Sequence, residues 1–156
     1  MVDQSTEHEA QDFVVPRVRR DLSTQKVLVT EWADGVPLDR CVALSQEARD
    51  GIARRLLKLT LRELFQLRFM QSDPNLGNFL YAPQTDRVVL LDFGAARRYE
   101  KSFVDDYLRL VWAAALRDED ALLEASFRLG FLTGHESDGM MDAHLRAGLV
   151  VGEPFA

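Results

Sequence analysis

Phe69-Met70-Gln71-Ser72-Asp73-Pro74-Asn75-Leu76-Gly77-Asn78-Phe79-Leu80-Tyr81, followed after a short polar turn by Val88-Val89-Leu90-Leu91-Asp92-Phe93-Gly94, sets a loop rich in oxygen-bearing side chains between apolar elements. Pro74, Gly77 and the polar residues around them mark residues 70–80 as an ordered loop. Phe79-Leu80-Tyr81 and Val88-Val89-Leu90-Leu91 then read as a strand pair joined through Pro83, Gln84, Thr85 and Asp86. The second strand is apolar at every position, so both of its faces are expected to be buried. It ends in Asp92, whose backbone it fixes, and Gly94 frees the chain to turn away directly afterward.

Upstream, Ser45 can cap a helix running to about Phe69, with Ile52, Leu56, Leu57, Leu61, Leu64 and Phe65 at helical spacing. This is expected to be the central buried helix. Phe13-Val14-Val15 and Val27-Leu28-Val29-Thr30 are β-branched runs suited to two strands of one small sheet, with Arg17, Arg19 and Arg20 keeping the turn between them soluble. Asp34-Gly35-Val36-Pro37 breaks the second strand and is the candidate boundary between lobes. Downstream the periodicity is helical around residues 104–117, 119–129 (ended by Gly130) and 139–151. The fold class expected is α+β, mainly α.

Composition excludes several classes of function. Of the 156 residues 47% are hydrophobic and 28% charged, enough for one domain with a core. A formal net charge of -6 leaves no broad cationic surface for nucleic acid. The single Cys41 rules out an internal disulfide and a Cys-rich zinc site, and it reads as buried or half-buried. His8, His135 and His144 lack metal-ligand spacing. The longest apolar run, residues 110–116, falls far short of the roughly 20 residues a membrane span needs. The first dozen residues carry Asp3, Glu7, Glu9 and Asp12, the opposite of an Arg-rich transit peptide. Trp32 and Trp112 read as packing residues, and Arg97 and Arg98 as a solvated helix-entry pair.

Phosphoryl transfer asks the protein for one carboxylate near the attacking group and for oxygen ligands that hold Mg2+ on the phosphates. Asp73 is the candidate base or nucleophile-orienting group, with Pro74 biasing it away from helical dihedrals so that its carboxylate projects from the loop. Asn78 offers an amide oxygen to the metal without adding a second negative charge, and Asp92 supplies the charged ligand. One acidic loop residue alone is ordinarily just solvated. The order Asp-x-x-x-x-Asn, then a hairpin, then an apolar strand ending in Asp-Phe-Gly, reproduces the kinase catalytic loop and metal-binding turn.

Residues 69–79 and the run Leu90-Leu91-Asp92-Phe93-Gly94-Ala95 resemble the UbiB family of atypical kinase-like proteins. Val29-Thr30-Glu31-Trp32-Ala33-Asp34-Gly35-Val36-Pro37-Leu38 is similar to that family's hinge. Phe131-Leu132-Thr133-Gly134, Asp142-Ala143-His144-Leu145 and Gly152-Glu153-Pro154-Phe155 resemble its eukaryotic mitochondrial branch, which supports coenzyme Q (ubiquinone) biosynthesis. The resemblance implies a remnant of N-terminal-lobe strands and hinge over residues 1–34, then a protein-kinase-like C-terminal lobe over 35–156, truncated at its end. It implies ATP or ADP with Mg2+, the adenine against the backbone of Glu31, Trp32 and Ala33, metal ligands Asn78 and Asp92, and Asp73 as the catalytic aspartate. It also implies ATP hydrolysis linked to lipid precursors and to the coenzyme Q biosynthesis complex, on the matrix side of the mitochondrial inner membrane. Phosphorylation of proteins fits less well. Gln71-Ser72 stands where His-Arg usually precedes the catalytic aspartate, and no Ala-Pro-Glu segment follows Gly94.

The family's Lys-x-Gly-Gln segment and alanine-rich nucleotide loop have no counterpart at Lys26, Lys58 or Lys101. The chain is therefore expected to be an incomplete domain, whether a fragment, an alternative product or an incomplete gene model, that binds ATP weakly or not at all by itself. Two other readings stand beside this one. A small-molecule phosphotransferase of the aminoglycoside or choline kinase type shares the same motif logic and would show a tight acceptor pocket. A non-catalytic binding module would be separated from an enzyme by nucleotide titration.

Overall fold

The computed structural model describes residues 12–73 and 75–155, so His8, Asp3, Glu7, Glu9 and Pro74 fall outside the described residues. The architecture is α+β and mainly helical, as the periodicity indicates. The chain divides into two compact units, one formed by Met1–Arg62 with Met70–Arg97, the other by Glu63–Phe69 with Arg98–Ala156. The segment 34–37, expected to separate two lobes, lies inside the first unit.

The first unit is organised by strands β1 (Phe13–Val14), β2 (Val36–Pro37), β4 (Phe79–Ala82) and β5 (Arg87–Leu90), in the order β1-β5-β4-β2. β4 and β5 form the expected antiparallel hairpin, with Phe79 opposite Leu90 and Tyr81 opposite Val88. Val88, Val89 and Leu90 are all buried, so this strand hides both faces, and each such side chain contributes about 1.5–3 kcal/mol. Asp86 takes the left-handed conformation at the turn, φ 53°, which a short polar side chain tolerates. Its carboxylate is gripped by Arg55 and accepts from the Tyr81 hydroxyl at 2.9 Å, and the guanidinium holds the Asp86 carboxyl below the usual carboxylate range.

The strand expected at residues 27–30 does not form. β1 spends its ladder on β5, running parallel with Phe13 opposite Val88. Residues 27–30 instead meet residues 18–19 and the turn at 23–24, through one Val18–Thr30 bridge, the Arg19 N–H donating to the Val29 carbonyl at 2.8 Å and the Thr24 N–H donating to the Val27 carbonyl at 2.8 Å. With no sheet face to cover them, Val27 and Leu28 remain exposed.

Helix α1 (Gln46–Arg62) starts where expected, the Ser45 hydroxyl accepting from the Ala48 N–H at 3.2 Å. It stops short of Phe69: a π-helical turn at Glu63–Leu67 and left-handed Arg68, φ 52°, lead into β3 (Phe69–Gln71). Nor is it a central buried helix. Only Ile52 is buried and Leu57 is exposed, so it lays one stripe on a core of Leu38, Cys41, Tyr81 and Val88. Burial of Cys41 pushes its thiol pKa up.

The second unit is a helical stack of α2 (Lys101–Leu116), α3 (Glu119–Arg128) and α4 (Asp138–Gly152). The Asp118 carboxylate caps α3 by accepting from the Ala121 N–H, and Ser137 caps α4. Ala113, Ala114 and Leu122 form the centre, with Leu145 and Leu149 against them. A Cβ at Gly152 would lie 2.3 Å from the Ala114 carbonyl carbon, so only glycine lets α4 close on α2 there. Buried Ser126 donates to the Leu122 carbonyl and meets His144 Nε2 at 2.8 Å, a structural role for that histidine. Trp112, expected to pack, is 65% exposed, because it sits on the face of α2 turned from Ala113 and Ala114.

Between α3 and α4 the chain is closed by Glu136, whose carboxylate accepts from the Thr133 N–H, the Thr133 hydroxyl and the Gly134 N–H, each at 2.8 Å. The Thr133 backbone bond foremost lowers its pKa from 4.5 to about 2. The folded value lies below the unfolded one, so this stabilisation is fully present above about pH 4.5 and is lost as pH falls toward 2. Glu136→Gln should therefore melt below the parent at neutral pH, the difference shrinking as the pH approaches 2. Thermal unfolding followed across that range checks it, and a constant difference would show that the carboxylate charge is irrelevant.

Candidate functional site

The loop after β3 is shaped by its own side chains. The Asn75 amide oxygen accepts from the Gly77 N–H at 2.9 Å and starts the single turn Leu76–Asn78, which passes straight into β4. Asp73 Oδ1 accepts from the Asn75 N–H and Oδ2 from Asn78 Nδ2, both at 3.3 Å. The sequence assigns the projection of Asp73 to Pro74; these two bonds hold its carboxylate. The Asn78 carbonyl accepts from the Leu91 N–H at 3.0 Å, tying the end of the loop to the residue before Asp92.

Beyond β5 the chain turns at once. Asp92 Oδ1 accepts from the Gly94 N–H at 2.7 Å, and the Ala96 N–H donates to the Phe93 carbonyl at 3.0 Å as β6 (Ala96–Arg98) begins. Gly94 serves by close approach: a Cβ there would stand 3.1 Å from Asp92 Oδ1. Strands β3 and β6 pair, and the Ser72 hydroxyl donates to the Ala95 carbonyl at 2.6 Å.

Asp73 and Asn78 are thus in direct contact, and Asp92 is held beside them through Leu91. The donor set fits Mg2+. Asn78 gives its Nδ2 to Asp73, which leaves Oδ1 as the end for a cation, and the Gly94 N–H occupies one Asp92 oxygen, leaving the other. Among the described residues no group of three or more His, Cys, Asp or Glu forms a metal cage. One or two protein oxygens, as Asn78 and Asp92 would offer, are the usual protein share of a Mg2+ site.

The sequence reading misses one member of this arrangement. Gln71 stands out in the chain only as a substitute for a histidine, yet it is buried at the end of β3, its Nε2 donating to the Asp92 carbonyl and its Oε1 accepting from the Asp73 N–H at 3.1 Å. The available signal is a polar residue inside an otherwise apolar strand.

Glu31, Trp32 and Ala33 line a cavity of about 820 Å3 together with Val14, Val36 and Val89. Asp73, Asn78 and Asp92 are not among its lining residues. Trp32 is not a packing residue: it is 88% exposed, its Nε1 donating to Asp34 Oδ1 at 2.7 Å, because no apolar element covers this segment. Arg97 and Arg98 are exposed, and the Arg98 guanidinium lies 5.5 Å from the Phe69 ring centroid.

Residues 2–126 match the model of the ABC1 atypical kinase-like domain. The chain is 51% identical over 144 residues to the rat (Rattus norvegicus) "Atypical kinase COQ8B, mitochondrial", a match covering 92% of this chain and 27% of that protein. To the yeast (Saccharomyces cerevisiae) "Atypical kinase COQ8, mitochondrial" it is 38% identical, covering 92% of this chain and 28% of the relative. It therefore spans about a quarter of the length of these curated relatives. Among solved structures, that of the Rv3197–erythromycin complex from Mycobacterium tuberculosis superposes with a TM-score of 0.73 at 28% identity, covering 94% of this chain and 37% of that one.

The segment around residues 31–35 is seated by Gly35, where a Cβ would fall 2.8 Å from Leu80 Cβ and 2.9 Å from the Tyr81 carbonyl oxygen. Since the second obstacle is backbone, Gly35→Ala should push residues 31–35 off β4 at a cost of about 1–3 kcal/mol. Chemical denaturation measures this, and a parental midpoint would show that the close approach is not required.

Proposed function

The chain belongs to the ABC1 atypical kinase-like family, and from that premise we propose that its catalytic loop and Asp-Phe-Gly turn form the phosphate side of an ATP site, with Mg2+ bound by Asn78 and Asp92. The observation that carries the reading is the Asp73–Asn78 hydrogen bond, made beside Asp92 by the Leu91–Asn78 backbone link. On this reading residues 12–34 belong with N-terminal-lobe strands and the hinge, and residues 35–155 with the C-terminal lobe.

Asp73 is the orienting group. Its carboxylate is preorganised by Asn75 and Asn78 and is free of any lysine or arginine partner among the bonds it makes, so it can accept the proton of an attacking hydroxyl or water. Asn78 and Asp92 present one neutral and one charged oxygen, enough to seat a cation without repelling the phosphates. Asn78 and Asp92 would hold Mg2+, which would supply neutralisation of the phosphate charge there. The backbone of Glu31, Trp32 and Ala33 would take the adenine edge, and the cavity they line is consistent with that placement.

The relatives named as mitochondrial atypical kinases support a place for this chain in the same setting. Accordingly the activity is ATP binding and hydrolysis in support of coenzyme Q biosynthesis, on the matrix side of the mitochondrial inner membrane, with lipid precursors and the biosynthetic complex as partners. Among the described residues no helix is long and apolar enough to cross a membrane.

Asp92→Asn should reduce Mg2+-dependent nucleotide affinity by about tenfold to a hundredfold, the loss of one charge-assisted contact and its ligand. Asp73→Asn should leave affinity largely intact and lower turnover, because an orienting group acts on the reaction step. Calorimetric titration of Mg-ATP, paired with phosphate release, separates the two. Unchanged affinity in Asp92→Asn would remove the metal assignment, and equal loss of binding in both variants would remove the division of roles.

A further inference from the structure

Gln71 does more than fill space. Gln71 and Ser126 are the buried polar side chains among the described residues, and Ser126 is consumed by helix packing. Gln71, 9% exposed, has each end of its amide on a different motif: nitrogen to the Asp92 carbonyl, oxygen to the Asp73 N–H. The orientation is not interchangeable, since the flipped amide would face N–H against N–H and oxygen against carbonyl oxygen. A buried amide left in that state would carry two unsatisfied groups, so the bonded orientation is enforced. Through backbone contacts alone it fixes both residues: the Asp73 amide precedes a carboxylate bonded to Asn78, and the Asp92 carbonyl belongs to the residue whose carboxylate Gly94 holds.

We propose that Gln71 is a positioning residue that holds the Asp73 loop and the Asp92 turn in one register, so that the orienting carboxylate and the metal ligands keep a fixed separation. The proposal rests on the phosphate-site reading for its catalytic meaning, but the coupling of the two loops is readable without any ligand. Phe93 and Ser72 do not duplicate it. Phe93 bonds through its carbonyl to Ala96, and Ser72 joins the later Ala95, so neither reaches both acidic residues.

Two variants separate positioning from packing. Gln71→Met keeps the length of the side chain and loses the bonds to the Asp73 N–H and the Asp92 carbonyl. Gln71→Glu, read at alkaline pH where the carboxyl is ionised, keeps the acceptor for Asp73 and loses the donor to Asp92. In amide NMR spectra, with Gly94 N–H reporting on Asp92, Gln71→Met should shift Asp73 and Gly94 together. Gln71→Glu should shift Gly94 while leaving Asp73 near its parental position. A role in volume alone predicts the same pattern for both variants, and that result, or an unmoved Gly94, overturns the proposal. If Gln71→Met does not fold, the Asp73-against-Gly94 split in Gln71→Glu decides by itself.

Titration with ATP, with and without Mg2+, gives the functional arm. Both variants should lose about tenfold in Mg2+-dependent affinity, equivalent to about 1.4 kcal/mol, with the metal-free affinity unchanged. Parental affinity in both, where Asp92→Asn has lost it, overturns the positioning role and leaves the phosphate-site reading intact. If Asp92→Asn also keeps parental affinity, the metal assignment fails instead, and the NMR split supports the loop coupling on its own.

Discussion

The hydrogen bond from the Leu91 N–H to the Asn78 carbonyl closes the open end of the β4–β5 hairpin, and the placement of Asn78 next to the Asp92 turn follows from it. On one side of this link the chain has just left the loop of Asp73 and Asn75; on the other it enters the turn of Asp92 and Gly94. A hairpin whose second strand is buried on both faces cannot slip by one residue without exposing Val88 or Val89. The register that protects the core is therefore the register that brings Asn78 beside Asp92. Stability and site geometry are set by one constraint.

The outer end of the hairpin is secured differently. Arg55 reaches from α1 to Asp86 and to Asp12, at 3.5 Å for the latter, while Tyr81 donates to the same Asp86 carboxylate. The Asp86 side chain is largely exposed, so water screens much of this attraction and its worth lies more in fixing the turn than in free energy. At the inner end the Asp73–Asn78 and Asp92–Gly94 bonds are exposed as well, but the Gln71 amide is buried and would lose its hydration if left unpaired, which makes that contact the less forgiving.

The second unit contains none of the candidate site residues and follows a different logic. Its helices close through small residues, Ala113, Ala114 and Gly152, and its polar interior is one serine–histidine contact. Membership of the ABC1 family gives the first unit's loops a chemical meaning that their geometry alone would leave general, since an aspartate hydrogen-bonded to an asparagine suits many cations.

Local rules make much of this fold legible in the chain itself. The hairpin can be read because apolar runs of strand length flank a polar turn, and the helices because Ser45, Gly130 and the apolar spacing mark a start, an end and the periodicity without reference to anything distant. Asp73, Asn78 and Asp92 can be named because their spacing is a property of the chain. Tertiary structure decided what depends on partners remote in sequence. It gave β1 to β5 and left residues 27–30 without a sheet, it left Trp32 and Trp112 in solvent, and it restricted burial on α1 to a narrow stripe. It also turned Gln71, a residue the sequence marks only as standing where a histidine usually precedes the catalytic aspartate, into a link between Asp73 and Asp92. A propensity or a motif is written in neighbouring residues. Burial and hydrogen-bond partnership belong to whatever the fold brings alongside, 21 positions away in the case of Gln71 and Asp92.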